Sequence, residues 1–289
     1  MTTTLGVLFD GLAYGMLLFL ISVGLSVTMG LMRFINLAHG VFAMAGGYLV
    51  ATLARQYDVN FFVALPLAFI FGAALSLVLE RALYRHLYKR GPLDQVLLTV
   101  GILFVATATA IYIFGSQQQP VVLPDVLQGR LVFLGVELSR YRLFLIAAGI
   151  VITLLLVFGL ERTRFGARIR ASVDRQSVAE AMGIRVERVF QATFAIGGGL
   201  AALGGALGID VLGLDPNFAQ RYLVYFLLVV VVGGSGSIVG TLIAALLLGV
   251  ADVSGKYYVP QIGAFVIYVA MIVLLFLFPH GLFAKRSVK

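Results

Sequence analysis

Residues Tyr225–Gly255 read "YFLLVVVVGGSGSIVGTLIAALLLGVADVSG", two apolar runs divided by Gly233, Gly234, Ser235, Gly236 and Ser237. Each run is shorter than the ~20 residues a helix needs to cross a hydrocarbon core about 30 Å thick. Two tilted short helices, one long interrupted helix and a re-entrant pair all fit this pattern. The choice decides whether the chain crosses its membrane eight or nine times, and hence on which side its tail emerges.

The rest of the chain identifies lipid as the solvent. Of 289 residues, 61% are hydrophobic and only 12% charged, whereas a soluble domain is about a quarter charged because its surface faces water. Apolar stretches recur near 5–30, 39–54, 61–80, 95–114, 143–160, 189–213, 222–232, 238–253 and 261–279. Backbone amides find no water in hydrocarbon, so these stretches are expected as helices. The expected fold class is all-α: a polytopic membrane helix bundle of about eight to nine segments with interrupted helices. Residues 1–289 are read as one transmembrane domain. The opening "MTTTLGVLFDGLAYG" has no Lys or Arg before its apolar run, so it lacks the basic region of a signal peptide and reads as a retained first helix.

The formal charge of +8 sits between apolar runs and not on an amphipathic surface, which reads as membrane topology and not as nucleic-acid binding. Arg81, Arg85, Lys89 and Arg90 follow the third stretch; Arg162, Arg164, Arg168, Arg170, Arg175, Arg185 and Arg188 follow the fifth. Both connections are expected in the cytoplasm. Lys285, Arg286 and Lys289 favour a cytoplasmic tail, and counting back puts the N-terminus outside. "GSQQQPVVLPDVLQGRLVFLGVELSR", Gly115–Arg140, is expected as an outside loop with a short hairpin or an interfacial helix.

Several chemistries are excluded by what is missing. Cysteine is absent, and His39, His86 and His280 lie too far apart for a helix-borne metal site. No paired carboxylates fall within an apolar stretch, and Asp10 and Asp252 are expected near segment ends, so no proton relay is visible. "GGSGSIVG" lacks the Lys-Ser/Thr of a phosphate loop. The chain is therefore expected not to hydrolyse ATP and to hold no cofactor or metal of its own.

Polar residues intrude in "GLMRFINLAHGVFAMAGGY", Gly30–Tyr48. An arginine at a helix centre costs about 2.5–3.5 kcal/mol, so Arg33 is expected at an interface or a cavity. Asn36 and His39 either line a transport path or cap the helix that starts near Gly40. Breaks at corresponding places in two halves are how transporters bring helix ends to the bilayer midplane. This break and the glycine turn at 233–237 are the candidate pair, with Asn36, His39, Gly40, Gly233, Gly234 and Gly236 as candidate pathway residues. The cluster "AIGGGLAALGGALG", Ala195–Gly208, reads as a helix-packing seam.

In "RTRFGARIRASVDRQSVAEAMGI", Arg162–Ile184, Ser172 or Asp174 is placed to cap a short helix that Gly183 stops. Val178, Ala179, Met182 and Ile184 give it a small apolar surface among charges. Such a helix either docks in a groove of a soluble partner or lies on anionic lipid.

Three stretches taken together, Gly11–Val50, Thr163–Ile184 and Val231–Gly249, resemble the LivH-type permease of branched-chain amino acid ABC importers, the high-affinity hydrophobic amino acid uptake family. The tail "LFLFPHGLF" departs from that family, which usually has Arg-Pro where Phe278-Pro279-His280 stands here. The departure falls on the membrane-exit turn. The resemblance implies a half-transporter in a bacterial inner membrane, paired with a LivM-like second permease. Two LivG/LivF-like ATPase subunits would bind ATP and Mg, and a periplasmic substrate-binding protein would deliver the solute. Loop 162–188 would be the coupling loop, with Gly166, Arg170, Asp174, Val178, Ala179, Met182 and Gly183 meeting an ATPase subunit. Implied solutes are branched-chain or related amino acids, with amides, urea and aromatic acids also within the wider family. A stand-alone secondary transporter or channel is the alternative outside it, and a membrane enzyme lacks any convergent acid, base or metal set.

Overall fold

The computed structural model describes residues 2–32, 34–88, 90–121, 123–133, 136–174, 176–279 and 281–283. Arg33, Lys89, Arg175, His280, Lys285, Arg286, Lys289 and the side chain of Asp174 lie outside what it describes.

Eleven α-helices occur among these residues: α1 Thr2–Met32, α2 His39–Gln56, α3 Phe61–Ala82, α4 Pro92–Phe114, α5 Arg140–Glu161, α6 Arg164–Asp174, α7 Gln176–Ala181, α8 Val186–Leu212, α9 Phe218–Gly233, α10 Ile238–Tyr258 and α11 Gly263–Leu277. Their starts follow local chemistry. Asn60 accepts from the Phe62 amide (2.9 Å), Ser237 accepts from the Gly240 amide (3.0 Å), and Pro92 opens α4 where no amide partner is needed. Between α4 and α5 an antiparallel hairpin joins β1 Arg130–Phe133 to β2 Val136–Ser139, with Arg130 opposite Ser139.

The stretch that sets the crossing number folds as two helices. α9 ends at Gly233, and α10 turns back so closely that a Cβ on Gly233 would sit 2.7 Å from the Gly240 carbonyl. Past α11, the Leu282 amide donates to the Val232 carbonyl (2.8 Å). The end of α11 therefore lies at the same face as the α9–α10 turn. The other end of α10 lies beside the start of α1, where the Tyr258 hydroxyl meets Thr4 (3.3 Å). Nine helices, all but α6 and α7, match the apolar stretches, and the start of α1 and the end of α11 lie at opposite faces. Six of them are long and apolar enough to cross a membrane, while α9 and α11 are shorter apolar helices.

α1 and α8 form the axis. α1 packs on α8 and α10, and α8 packs on α2 and α3. Glycine permits this. Gly24 of α1 meets Gly197 of α8 backbone to backbone, Gly205 of α8 meets Ala43 of α2, and Gly46 of α2 meets Ala202. Helices in lipid gain nothing hydrophobic by leaving it, so contact depends on close van der Waals approach at small residues. The expected seam at 195–208 is this axis.

Candidate functional site

The first break holds Asn36 in an Asx turn ahead of α2 and not as its cap, which is Ala38, without a side-chain cap bond. The Asn36 Oδ1 accepts from the Ala38 amide (3.1 Å), and the Asn36 carbonyl accepts from the His39 amide (3.3 Å). Asn36 is outside any helix, so it does not share a helical face with His39. The Ile35 amide donates to Gln95 Oε1 of α4 (3.1 Å). Phe34 packs against Tyr84, Tyr88 and Phe194 with ring centroids 5.2, 5.8 and 5.6 Å away. His39 opens α2, and its Nε2 lies 2.9 Å from the Ile21 carbonyl. A carbonyl only accepts, so Nε2 carries the proton. Ile21 lies 11 residues before the last residue of α1, Met32, about 16 Å along the helix. The chain has therefore folded back beside α1, and α2 begins within the bundle.

A second break repeats this geometry. After α8, Asp215 Oδ1 accepts from the Asn217 amide (2.8 Å) and the Asp215 carbonyl accepts from the Phe218 amide (3.0 Å). The residues before the two helices match, Ala38 at φ −81°, ψ 6° and Asn217 at φ −89°, ψ 3°. The two helix starts adjoin: a Cβ on Gly40 would lie 3.1 Å from the Ala219 Cα. Two helix N-termini, the positive ends of their helices, thus adjoin, that of α2 buried and that of α9 led by the exposed Asn217.

The counterpart of the Asn36 break is therefore Asp215–Ala219 and not the glycine turn. Gly233, Gly234 and Gly236 sit at the α9–α10 turn and not at a second helix start. Gly234 and Gly236 adopt φ of 87° and 88°, and the Gly236 amide donates to the Ser26 carbonyl (3.0 Å). They are glycines because the turn needs left-handed backbone and a close helix crossing.

Two buried acids carry no clear mark in the sequence. Glu80 of α3 is wholly enclosed and accepts from the Tyr88 hydroxyl (2.8 Å). Asp252 is buried as well and bonds Lys256 Nζ (2.6 Å). α10 continues to Tyr258, so Asp252 is interior to the helix and not at its end. The Asp252–Lys256 spacing of i, i+4 is the one legible sign of this pair. Asp10 pairs with Arg142 and likewise lies two turns inside its helix.

The arginine-rich passage folds as two helices, not one. α6 turns back onto the end of α5, where Arg170 Nη1 donates to the Leu160 carbonyl (2.6 Å) and Gly166 leaves no room for a Cβ against Leu160. Ser172 is no cap; it lies within α6, its hydroxyl donating to the Arg168 carbonyl (2.8 Å). Gly183, at φ 80°, ends the α7 turn as expected, with the Ile184 amide on the Ala179 carbonyl (3.0 Å). Val178 is 50% and Met182 78% exposed, whereas Ala179 is 3% exposed and faces the chain's own core. The outward apolar pair is thus Val178 and Met182, and Ala179 is a packing residue.

Nine apolar helices, two polar breaks at adjoining helix starts and a projecting apolar pair on the arginine-rich face define a polytopic membrane permease. The chain belongs to the family of branched-chain amino acid transport system permease components, which matches residues 7–275. The probable branched-chain amino acid transport permease protein LivH of Methanocaldococcus jannaschii is 27% identical, over 96% of this chain and 91% of that protein. The high-affinity branched-chain amino acid transport system permease protein BraD of Pseudomonas aeruginosa is 27% identical, over 98% and 96%. The LivH protein of Escherichia coli is 25% identical, also over 98% and 96%. No solved structure matches the chain.

The geometry of the first break makes a testable distinction. Asn36→Asp keeps the acceptor for the Ala38 amide, whereas Asn36→Leu removes that buried hydrogen bond at a cost of about 1 kcal/mol. Both variants are expected to reach the membrane. Asn36→Leu lowers solute uptake more than it lowers the amount of folded protein, as measured by transport in vesicles against size-exclusion recovery.

Proposed function

We propose that this chain is one of two permease subunits of an importer that carries branched-chain or related amino acids across a bacterial cytoplasmic membrane. The single observation that carries this reading is full-length similarity to permeases named for that transport. A periplasmic binding protein delivers the solute, a LivM-like permease completes the membrane channel, and two LivG/LivF-like ATPases bind ATP and Mg. The arginine-rich face is cytoplasmic. There Val178 and Met182 enter a groove of an ATPase subunit, with Gly166, Arg170 and the Asp174 position forming the support beneath. Two residues beyond Ile184, α8 begins, and its Phe194 packs on Phe34 of the first break. Movement at α7 therefore passes along the central helix to the site where the helix starts meet. The polar amides there offer transient contact to a solute that the surrounding apolar side chains do not hold, which suits release.

The experiment is to purify the tagged chain from its native membrane in mild detergent and identify the proteins that accompany it. Recovery of a second permease and an ATPase, with amino acid uptake that stops when the ATPase is inactivated, is the expected result. A chain that is reproducibly alone and transports without ATP would instead be a stand-alone transporter.

A further inference from the structure

The outward face of α5 is made for lipid. It consists of Ala147, Ile150, Val151, Leu154, Leu155 and Phe158, all large and apolar except the first. Helices that pack together in a bilayer meet through small residues, so this face suits acyl chains and not another helix. One turn later the chain leaves the hydrocarbon. The exposed Arg162 sets its guanidinium 5.5 Å from the centre of the Phe158 ring, which is itself half-exposed. An arginine that rests on an apolar ring and carries its charge to the helix end marks the boundary between acyl chains and headgroups.

Just past this boundary the positive charge is unbalanced. Gly166 and Arg170 pin α6 back on Leu160, so the face that α6 turns outward is fixed beside the end of α5. Gly166, Ile169 and Ser172 are buried, while Arg164, Ala167, Arg168 and Ala171 are exposed. Arg164 and Arg168 stand at i, i+4, where like charges repel. Arg164 also lies in the first turn of α6, the positive end of the helix dipole, and no acid stands there to offset it. Among the described residues, no ion pair includes Arg162, Arg164 or Arg168. Three cations that the electrostatics of the chain oppose, next to a lipid-facing helix, need an anion from outside the chain. The apolar pair Val178 and Met182 belongs to α7, so the lipid contact and the ATPase contact fall on different helices.

We propose that Arg162, Arg164 and Arg168 bind the phosphate of an anionic phospholipid in the leaflet at the arginine-rich face, with its acyl chains along Phe158 and the aliphatic residues of α5. The phosphate relieves the repulsion between Arg164 and Arg168 and holds α6 against the bilayer, while α7 is left to its partner. A net negative lipid is selected over a zwitterionic one because the site holds cations and no described carboxylate. None of this depends on the solute carried or on the transport reading above.

The test places the purified intact complex in phosphatidylcholine nanodiscs that hold a trace of either phosphatidylglycerol or phosphatidylcholine with a photoreactive acyl chain. Peptide mass spectrometry then maps the labelled residues, with the uncharged α11 as internal reference. Phosphatidylglycerol is expected to label residues 150–168 about tenfold more than phosphatidylcholine does, since each arginine near an anionic headgroup contributes about fivefold. Arg164→Gln combined with Arg168→Gln should bring that ratio to about twofold or less, and the corresponding pair of Lys substitutions should keep most of it. Salt at about 1 M, where the screening length is roughly 3 Å, should abolish most of the preference in the wild type, a readout that holds even if the Gln pair folds poorly. Equal labelling by the two lipids overturns the proposal, as does a preference that survives high salt or the Gln pair. Labelling that appears only after the ATPase subunits are stripped away would assign the arginines to the ATPase and overturn it too. If the lipid is selected but the complex imports no amino acid, the transport reading fails and the lipid site stands.

Discussion

Met182→Asp is expected to reduce ATP-driven uptake about a hundredfold, since a charge forced into an apolar docking contact costs roughly 3 kcal/mol. Met182 is 78% exposed and lies one turn from Val178, so nothing inside the chain depends on it. The variant should reach the membrane at the wild-type amount and melt at the wild-type temperature. ATP hydrolysis by the assembled complex then no longer tracks transport. Val178→Asp should behave alike. Ala179→Asp is the contrast: Ala179 is 3% exposed, and an unpaired charge there is buried in the chain itself. That variant is expected to lose folded protein, with uptake falling only in proportion. Vesicle uptake normalised to the amount of folded chain separates the two cases. Undiminished uptake by Met182→Asp would remove α7 as the docking element.

Gly205→Val is expected to give the largest loss of stability. A Cβ there overlaps the backbone of Ala43 in α2, and no rotamer change relieves a clash with main chain. Overpacking against movable side chains already costs about 1–3 kcal/mol, so a backbone clash at the α2–α8 contact should exceed that. Because α2 is held to α8 there, the variant also disturbs the seat of the helix starts. Gly101→Ala in α4 is the control, since its Cβ would meet nothing within 4 Å. It should be neutral or slightly stabilising, by up to about 1 kcal/mol from helix propensity. Melting temperatures of the two variants in detergent measure the difference, and equal values would refute the packing role.

Much of the fold is legible in the sequence. The nine apolar stretches are each a helix, and of the two readings left open for residues 115–140, a hairpin or an interfacial helix, the pairing of Arg130–Phe133 with Val136–Ser139 decides for the hairpin. The first break is legible because polar residues inside an apolar stretch cost free energy unless a helix end or a cavity receives them. Its true counterpart is not, because "GLDPNFA" reads as an ordinary connection, and only its Asx geometry beside Gly40 reveals the match. Glu80 and Asp252 look peripheral in the sequence because their burial depends on neighbours that lie far off along the chain. Ala179 looks like part of a docking face because periodicity over six residues does not say which side of so short a helix meets the protein.

The sequence by itself determined the solvent, the class and the connections that carry the arginines, all of which follow from the cost of moving groups from water to lipid, whereas the structure decided that residues 225–255 form two helices and that the arginine-rich passage forms two. The tertiary structure alone decided which helices lie at the centre. The apolar core of α1 is 83% buried in protein and that of α5 only 22%, although α5 is the more hydropathic. Hydropathy measures escape from water and is blind to the choice between lipid and protein. That choice is made by glycines that let backbones touch and by polar groups that need each other.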